Sequence, residues 1–179
     1  MLIKTEHTLL MTFIRFNKAV IQMKESPGGE MIVKYFTLIN RTDDDNTDIM
    51  RVVDSVFENS EVTDILGNDR DYSARCLLTS LMAYNYYYMP EEEHTFGMVD
   101  LLCCGGDAPA DSSGVTYREY SYLDCLIDKV RETVSEDDPR YIIVKNYDEY
   151  HSCSPDELMK IRSYLDCVVK RFLIQYESD

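Results

Sequence analysis

Few residues in this sequence have the type and spacing that enzyme catalysis requires. His151 and Cys153 stand two positions apart, and such a pair could supply a base and a nucleophile. Cys153, however, comes shortly before Pro155, in an ordinary loop that leads into a helix. The other two histidines, His7 and His94, are distant in sequence. A small cysteine-dependent enzyme is therefore the most remote of three hypotheses.

The sequence lacks the common signatures of metal and nucleotide sites. It has no Cys-x-x-Cys pair, no Gly-x-x-x-x-Gly-Lys-Ser/Thr loop, no Gly-x-Ser-x-Gly and no His-Glu-x-x-His. The acidic stretch 43–48 begins like a calcium loop but lacks the central glycine and the closing glutamate. We therefore predict no catalytic residue, no metal site and no cofactor, and we interpret the six cysteines as reduced thiols.

The stretch 84–93, "YNYYYMPEEE", is the densest group of residues suited to binding. Tyrosines in the last turns of a helix can lie at the edge of a core, and glutamates after a proline favour the start of a following helix. Tyrosine is also a preferred contact residue in protein interfaces. The loop 105–114 is a second candidate surface. The predicted protein-binding residues are Tyr86, Tyr87, Glu91, Glu92 and Glu93.

The charge of the chain is strongly negative and unevenly distributed. The formal net charge is −15, and residues 46–179 carry 12 Lys/Arg against 27 Asp/Glu. Because phosphate backbones are bound by Lys and Arg, this balance disfavours direct binding to nucleic acid or to an anionic membrane. It is compatible with a basic protein partner. The apolar runs are shorter than the roughly 18–20 residues that span a bilayer, and the first 16 residues do not resemble a signal peptide, so we predict a cytoplasmic location.

Helical periodicity dominates the sequence after residue 45. Residues 31–39, rich in β-branched and aromatic types, are the one strand-like segment and follow a predicted helix at 5–24. We predict an all-α fold of about seven helices, divided into an appendage at 1–45 and a compact domain at 46–179. The helices after residue 45 are predicted at 47–59, 70–89, 94–104, from 116, from 139 and from 155.

Capping residues and apolar stripes support these helices. Asn46 or Thr47 is predicted to cap the first of them, Thr116 and Glu119 have capping-box spacing, and Asp138 and Ser154 each precede a proline that is favoured at the first helical position. The helix at 70–89 has an inward stripe of Ala74, Leu77, Leu78, Leu81, Asn85 and Tyr88. Other predicted inward positions include Val52, Phe96, Leu123, Tyr147 and Phe172.

The order of features from residue 46 onward resembles the all-α domain of type IV secretion coupling proteins, the TraG/TraD-like class of conjugative DNA transfer. A helix ending in aromatic residues at 83–88 meets Pro90-Glu91-Glu92 and then a helix containing Phe96. Asp138-Pro139 later opens a segment with spaced tyrosines, and 33–41 is similar to the motor strand that precedes this domain in the family. The resemblance covers about three quarters of the chain.

The resemblance implies a recognition domain without the ATPase motor, because the sequence has no nucleotide-binding loop. Its expected role is non-catalytic docking of a protein, either a relaxosome component or a secreted substrate. The second hypothesis, direct DNA binding, also follows from the wider family.

Overall fold

The computed structural model describes residues 39, 45–59, 68–105 and 121–177. These residues contain six α-helices and one 3₁₀ turn, and no strand. The all-α prediction is therefore confirmed for the described residues. No helix among them is long and apolar enough to cross a membrane. The predicted helix at 5–24, all but residue 39 of the predicted strand at 31–39 and all but residue 105 of the predicted loop at 105–114 lie outside the described residues; residue 39 is in a turn and residue 105 ends a helix. The helices are α1 (Asp45–Asn59), α2 (Asn68–Tyr88), α3 (Phe96–Gly105), α4 (Tyr122–Arg131), α5 (Tyr141–His151) and α6 (Pro155–Glu177), and the 3₁₀ turn Glu91–Glu93 joins α2 to α3.

Helix α2 is the centre of the fold and packs against α1, α3, α5 and α6. The predicted inward stripe is confirmed at five positions, because Ala74, Leu77, Leu78, Leu81 and Asn85 are buried. Tyr88 was predicted to point inward and is instead 36% exposed. The Ser80 hydroxyl donates to the backbone oxygen of Ile143, in the first turn of α5. Tyr88 lies two turns further along α2, beyond the start of α5, so α5 does not cover its side chain.

Helix α1 runs antiparallel to α2. Near the carboxyl end of α1, the Asp54 carboxylate accepts a 2.7 Å hydrogen bond from Arg75, in the first half of α2. At the start of α1, the Asn46 side chain accepts a 3.0 Å hydrogen bond from the hydroxyl of Tyr87, in the last turn of α2. The beginning of α1 therefore lies beside the end of α2.

Helix α5 is also antiparallel to α2. The sulfur of Cys153, just after α5, lies 3.5 Å from the hydroxyl oxygen of Ser73 near the start of α2. At the other end, the Arg140 guanidinium, just before α5, lies over the ring of Tyr88. The starts of α1 and α5 and the end of α2 therefore meet at one end of the bundle.

One hydrophobic cluster joins the described helices. Phe96 at the start of α3 and Phe172 in α6 are both almost fully buried, with ring centroids 5.4 Å apart. Predicted core residues from α1, α4 and α5, such as Val52, Leu123 and Tyr147, belong to the same cluster. Ile39 is 1% exposed and belongs to it as well. The predicted boundary at residues 45 and 46 stays a prediction.

Two helix starts differ from the sequence prediction. Helix α1 already begins at Asp45, so Asn46 and Thr47 lie inside its first turn rather than capping it. Helix α4 begins at Tyr122, and its capping box is formed by Ser121 and Asp124. The Ser121 hydroxyl accepts a hydrogen bond from the Asp124 backbone amide. The predicted capping box of Thr116 and Glu119 lies outside the described residues.

The starts of α5 and α6 contrast with each other. Helix α5 begins at Tyr141, two residues later than predicted. Residues 138–141 form a turn instead, because the Asp138 backbone oxygen accepts a 2.8 Å hydrogen bond from the Tyr141 amide. Pro139 therefore lies in that turn and not in the helix. Helix α6 starts at Pro155 as predicted, and the Ser154 hydroxyl donates to the Glu157 carboxylate at 2.7 Å.

Candidate binding site at the end of helix α2

The five predicted binding residues lie together where α2 ends and α1 and α5 begin. We call this region the tyrosine–glutamate end and define it as residues 84–93, Asp45-Asn46 and residues 138–140. Glu91 and Glu92 are exposed, whereas Tyr86, Tyr87 and Glu93 are half-buried. The glutamates thus provide the exposed charge of this region, and the tyrosines contribute only part of their surface.

The three glutamates are held by backbone contacts, which leaves their carboxylates available. The Glu93 amide donates to the Pro90 oxygen at 2.8 Å, which closes the 3₁₀ turn. The buried Asn85 side chain donates to the Glu93 backbone oxygen at 3.0 Å and fixes the turn to α2. Among the described residues, no Lys or Arg lies within ion-pair distance of the carboxylates of Glu91, Glu92 or Glu93.

Tyr86 and Tyr87 mainly support this surface from within. Their rings meet edge to face with centroids 5.0 Å apart, and the Tyr86 ring also lies 5.6 Å from that of His94. The Tyr87 hydroxyl donates to Asn46, whose amide in turn donates to the Pro139 backbone oxygen at 2.8 Å. Tyr87 therefore links α2, α1 and the turn before α5, and its hydroxyl already has a partner within the chain.

The structure adds a second aromatic pair that the sequence prediction did not single out. Tyr84 and Tyr88, one turn apart on α2, stack with ring centroids 5.3 Å apart and an interplanar angle of 15°. Burial, together with a smaller effect of the nearby phenols of Tyr122 and Tyr88, raises the pKa of Tyr84 to about 12. Tyr122, at the start of α4, is 40% exposed. The tyrosine surface therefore extends beyond Tyr86 and Tyr87.

The turn before α5 contributes a carboxylate and a guanidinium. The Asp138 carboxylate accepts hydrogen bonds from Arg140 Nε at 2.9 Å and from Arg140 Nη2 at 2.5 Å. The Arg140 backbone amide donates to the same carboxylate at 2.9 Å. These hydrogen bonds lower the pKa of Asp138 to about 2. The Arg140 guanidinium carbon also lies 5.9 Å from the centroid of the Tyr88 ring.

Comparisons of the chain with family models, curated proteins and solved structures find no match. The resemblance to coupling proteins therefore stays a prediction from the order of motifs. A function for the tyrosine–glutamate end has to be argued from its own charge, exposure and geometry.

The two residues of the thiol-enzyme hypothesis have different partners. His151 Nε2 lies 3.3 Å from the Asp124 carboxylate, and the His151 ring stacks on that of Tyr147 at 5.5 Å between centroids. The hydrogen bond of the Cys153 sulfur is with the Ser73 hydroxyl. Cys153 is also one of five described cysteines that are free thiols. The Cys153 thiol thus has the Ser73 hydroxyl as its hydrogen-bond partner, whereas the thiol-enzyme hypothesis requires His151 in that position.

Carboxylates, thiols and imidazoles do not converge into a metal site in the part of the chain that the structure describes. Within those residues, no three His, Cys, Asp or Glu side chains form a group suited to hold an ion. Asp48, from the stretch that begins like a calcium loop, is buried in α1 and pairs with Arg51 at 3.5 Å. Residues 45–48 of that stretch therefore form the first turn of α1.

Proposed function

We propose that the helical bundle is a non-catalytic docking domain that binds a basic segment of another protein through its tyrosine–glutamate end. The observation that supports this most directly is the row of carboxylates at Glu91–Glu93, which has no cationic partner among the described residues. Clustered negative charge attracts a positively charged partner and speeds its encounter. The tyrosines beside it offer apolar and hydrogen-bonding surface with little conformational freedom to lose.

The side chains around this region do not offset the charge of the glutamates. Asp45 stands at the start of α1, and the Arg140 charge before α5 is balanced by Asp138. The negative end of the α2 dipole meets the positive ends of the α1 and α5 dipoles here, so the helix dipoles add no net preference for a cation. The exposed charge that a partner meets here is therefore predominantly negative.

The coupling-protein resemblance suggests the kind of partner. Two of the motifs that carry it, the aromatic end of α2 with Pro90-Glu91-Glu92 and the Asp138-Pro139 turn, belong to the segments that build the tyrosine–glutamate end. We therefore propose that the chain acts as a recognition domain related to conjugative coupling proteins, and that its partner is a basic relaxosome component or secreted substrate. ATP hydrolysis and DNA pumping are not part of this proposal.

Charge reversal at the glutamates tests the proposal. We expect the variant Glu91→Lys/Glu92→Lys/Glu93→Lys to bind basic relaxosome proteins roughly tenfold more weakly than the unmodified chain, because each exposed pair contributes up to about 1 kcal/mol. Binding is measured by biolayer interferometry on the immobilised chain, and circular dichroism checks that the variant remains helical.

The matched control is Glu58→Lys/Glu149→Lys/Asp156→Lys. These carboxylates are exposed, and they lie on α1, α5 and α6 toward the opposite end of the bundle. The control changes the net charge by the same amount, so it should weaken binding much less. Equal loss in both variants, or none in either, would contradict the proposed surface. Retardation of a DNA duplex that weakens steeply with salt would support the DNA-binding hypothesis instead.

A further inference from the structure

Arg140 occupies a site whose chemistry suits a guanidinium group. The edge of the Arg140 guanidinium donates two parallel hydrogen bonds to the Asp138 carboxylate. The Tyr88 ring lies beneath the guanidinium, with its centroid 5.9 Å from the guanidinium carbon. A planar fork that pairs with a carboxylate while lying over an aromatic face is a geometry that arginine satisfies and lysine does not.

The site would remain formed if the Arg140 side chain left it. The Arg140 backbone amide, which donates to Asp138 at 2.9 Å, keeps the carboxylate in place without the guanidinium. Tyr88 is stacked on Tyr84, which holds its ring independently of Arg140. The Arg140 side chain is 39% exposed, and an incoming guanidinium could form the same two hydrogen bonds to Asp138 that Arg140 gives up. Displacing the Arg140 side chain from the site by another guanidinium therefore costs little free energy.

We propose that Tyr88 and Asp138 form an arginine-recognition site, that Arg140 fills it in the free protein, and that an arginine of the basic partner displaces Arg140 on binding. This inference rests on the proposed docking function and specifies the group that the surface selects. Arg140 then acts as an internal competitor that lowers the affinity for arginine-rich segments and releases the site when one is bound.

Two peptides of equal length test the site, one of alternating arginine and glycine and one of alternating lysine and glycine. Fluorescence anisotropy with the full chain should show about two- to fivefold tighter binding of the arginine peptide, the size expected for one exposed cation–π contact.

Arg140→Gln should strengthen arginine-peptide binding by a similar factor. Arg140→Lys keeps the charge but gives up the fork, so it should also strengthen that binding. Tyr88→Leu should abolish the preference for arginine, and Tyr88→Phe should keep it.

Arg75→Gln is the matched control for the loss of one positive charge. Arg75 also pairs with two aspartates, and its guanidinium carbon lies 4.4 Å from the centroid of the Phe57 ring. Along α2, Arg75 is roughly 20 Å from Tyr88. It should change the binding of both peptides equally and only slightly. Tyr72→Leu, which removes an exposed tyrosine from the other end of α2, should leave the preference for arginine unchanged.

The outcomes separate this inference from the proposed function. If both peptides bind equally and lose affinity on charge reversal at Glu91–Glu93, the docking surface stands and the arginine site is wrong. The arginine site is also wrong if Arg75→Gln strengthens binding as much as Arg140→Gln does. If neither peptide binds at low salt, the proposed function fails and the inference fails with it.

Discussion

Asp124 shows how one carboxylate can fix the junction of two helices. It accepts a hydrogen bond from the Ser121 backbone amide at the start of α4 and a 2.7 Å hydrogen bond from the Tyr147 hydroxyl of α5. His151, one turn beyond Tyr147, lies 3.3 Å from the same carboxylate. Burial alone would raise the pKa of Asp124, but hydrogen bonds from Ser121 and Tyr147 outweigh it and lower that pKa. The ionised form is therefore the one that the fold stabilises.

The lowered pKa of Asp124 leads to a prediction about acid stability. A carboxyl group whose pKa is lower in the folded state stabilises the protein above its ordinary pKa of about 4, and that contribution is lost as the pH falls toward the folded-state value. Asp124→Asn should therefore cost about 1–2 kcal/mol of unfolding free energy at pH 7. The cost should shrink progressively below about pH 4. Urea unfolding of both proteins between pH 7 and pH 3, followed by circular dichroism, measures this difference.

Asp128→Asn is the control for Asp124→Asn. Asp128 lies one turn later on α4 and is 39% exposed, compared with 13% for Asp124, and its partner is Arg131. Its replacement should cost at most about 0.5 kcal/mol at pH 7. If the cost of Asp124→Asn stayed constant down to pH 3, the ionised carboxylate would not be the stabilising form.

At the scale of helices, the sequence predicts interiors better than ends. Apolar steps of three and four identify the buried face of α2 because every turn from Ala74 to Asn85 faces a neighbouring helix. At Tyr88 the same periodicity continues, although α2 has already passed the start of α5. Periodicity within one helix contains no information about where another helix begins.

The same limit applies to the candidate binding site. Tyr86, Tyr87 and Glu91–Glu93 are contiguous in the chain, so their grouping could be predicted from the sequence. The contact of Arg140 with Tyr88 joins residues far apart in the chain, and neither the helix-capping interpretation of Asp138-Pro139 nor the resemblance predicted it. That contact depends on α5 running antiparallel to α2, which no local motif specifies.

Helix α3 depends on packing rather than on its own length. Its ten residues form fewer turns than an isolated helix needs to persist in water. Phe96 anchors its first turn against Phe172 of α6. Phe96→Ala should therefore destabilise the protein by about 3–5 kcal/mol, measured by urea unfolding, and should accelerate hydrogen exchange in α3 more than in α5.

Met159→Ala provides the comparison for this core substitution. Met159 lies on α6 and is 56% exposed, so its loss should change stability by no more than about 0.5 kcal/mol. A cost near that value for Phe96→Ala would mean that the Phe96–Phe172 contact does not anchor α3.

For the whole molecule, the net charge of −15 opposes compaction. Salt has two opposite effects on such a chain, because it screens the repulsion among excess carboxylates and also weakens exposed ion pairs such as Lys170–Asp166. Exposed pairs contribute little individually, whereas the repulsion acts between all of the unbalanced carboxylates. The screening of repulsion should therefore be the larger effect.

This balance predicts that the protein becomes more stable as salt is added at neutral pH. Raising sodium chloride from 0.01 M to 0.1 M shortens the Debye length from about 30 Å to about 10 Å. The melting temperature should rise by about 2–4 °C, which corresponds to roughly 1 kcal/mol for a chain of this size. The same titration at pH 5, near the isoelectric point of about 4.5, should give a smaller rise because fewer charges repel each other. A melting temperature that falls with salt at neutral pH would show that ion pairs, and not repulsion among carboxylates, dominate the electrostatics of this fold.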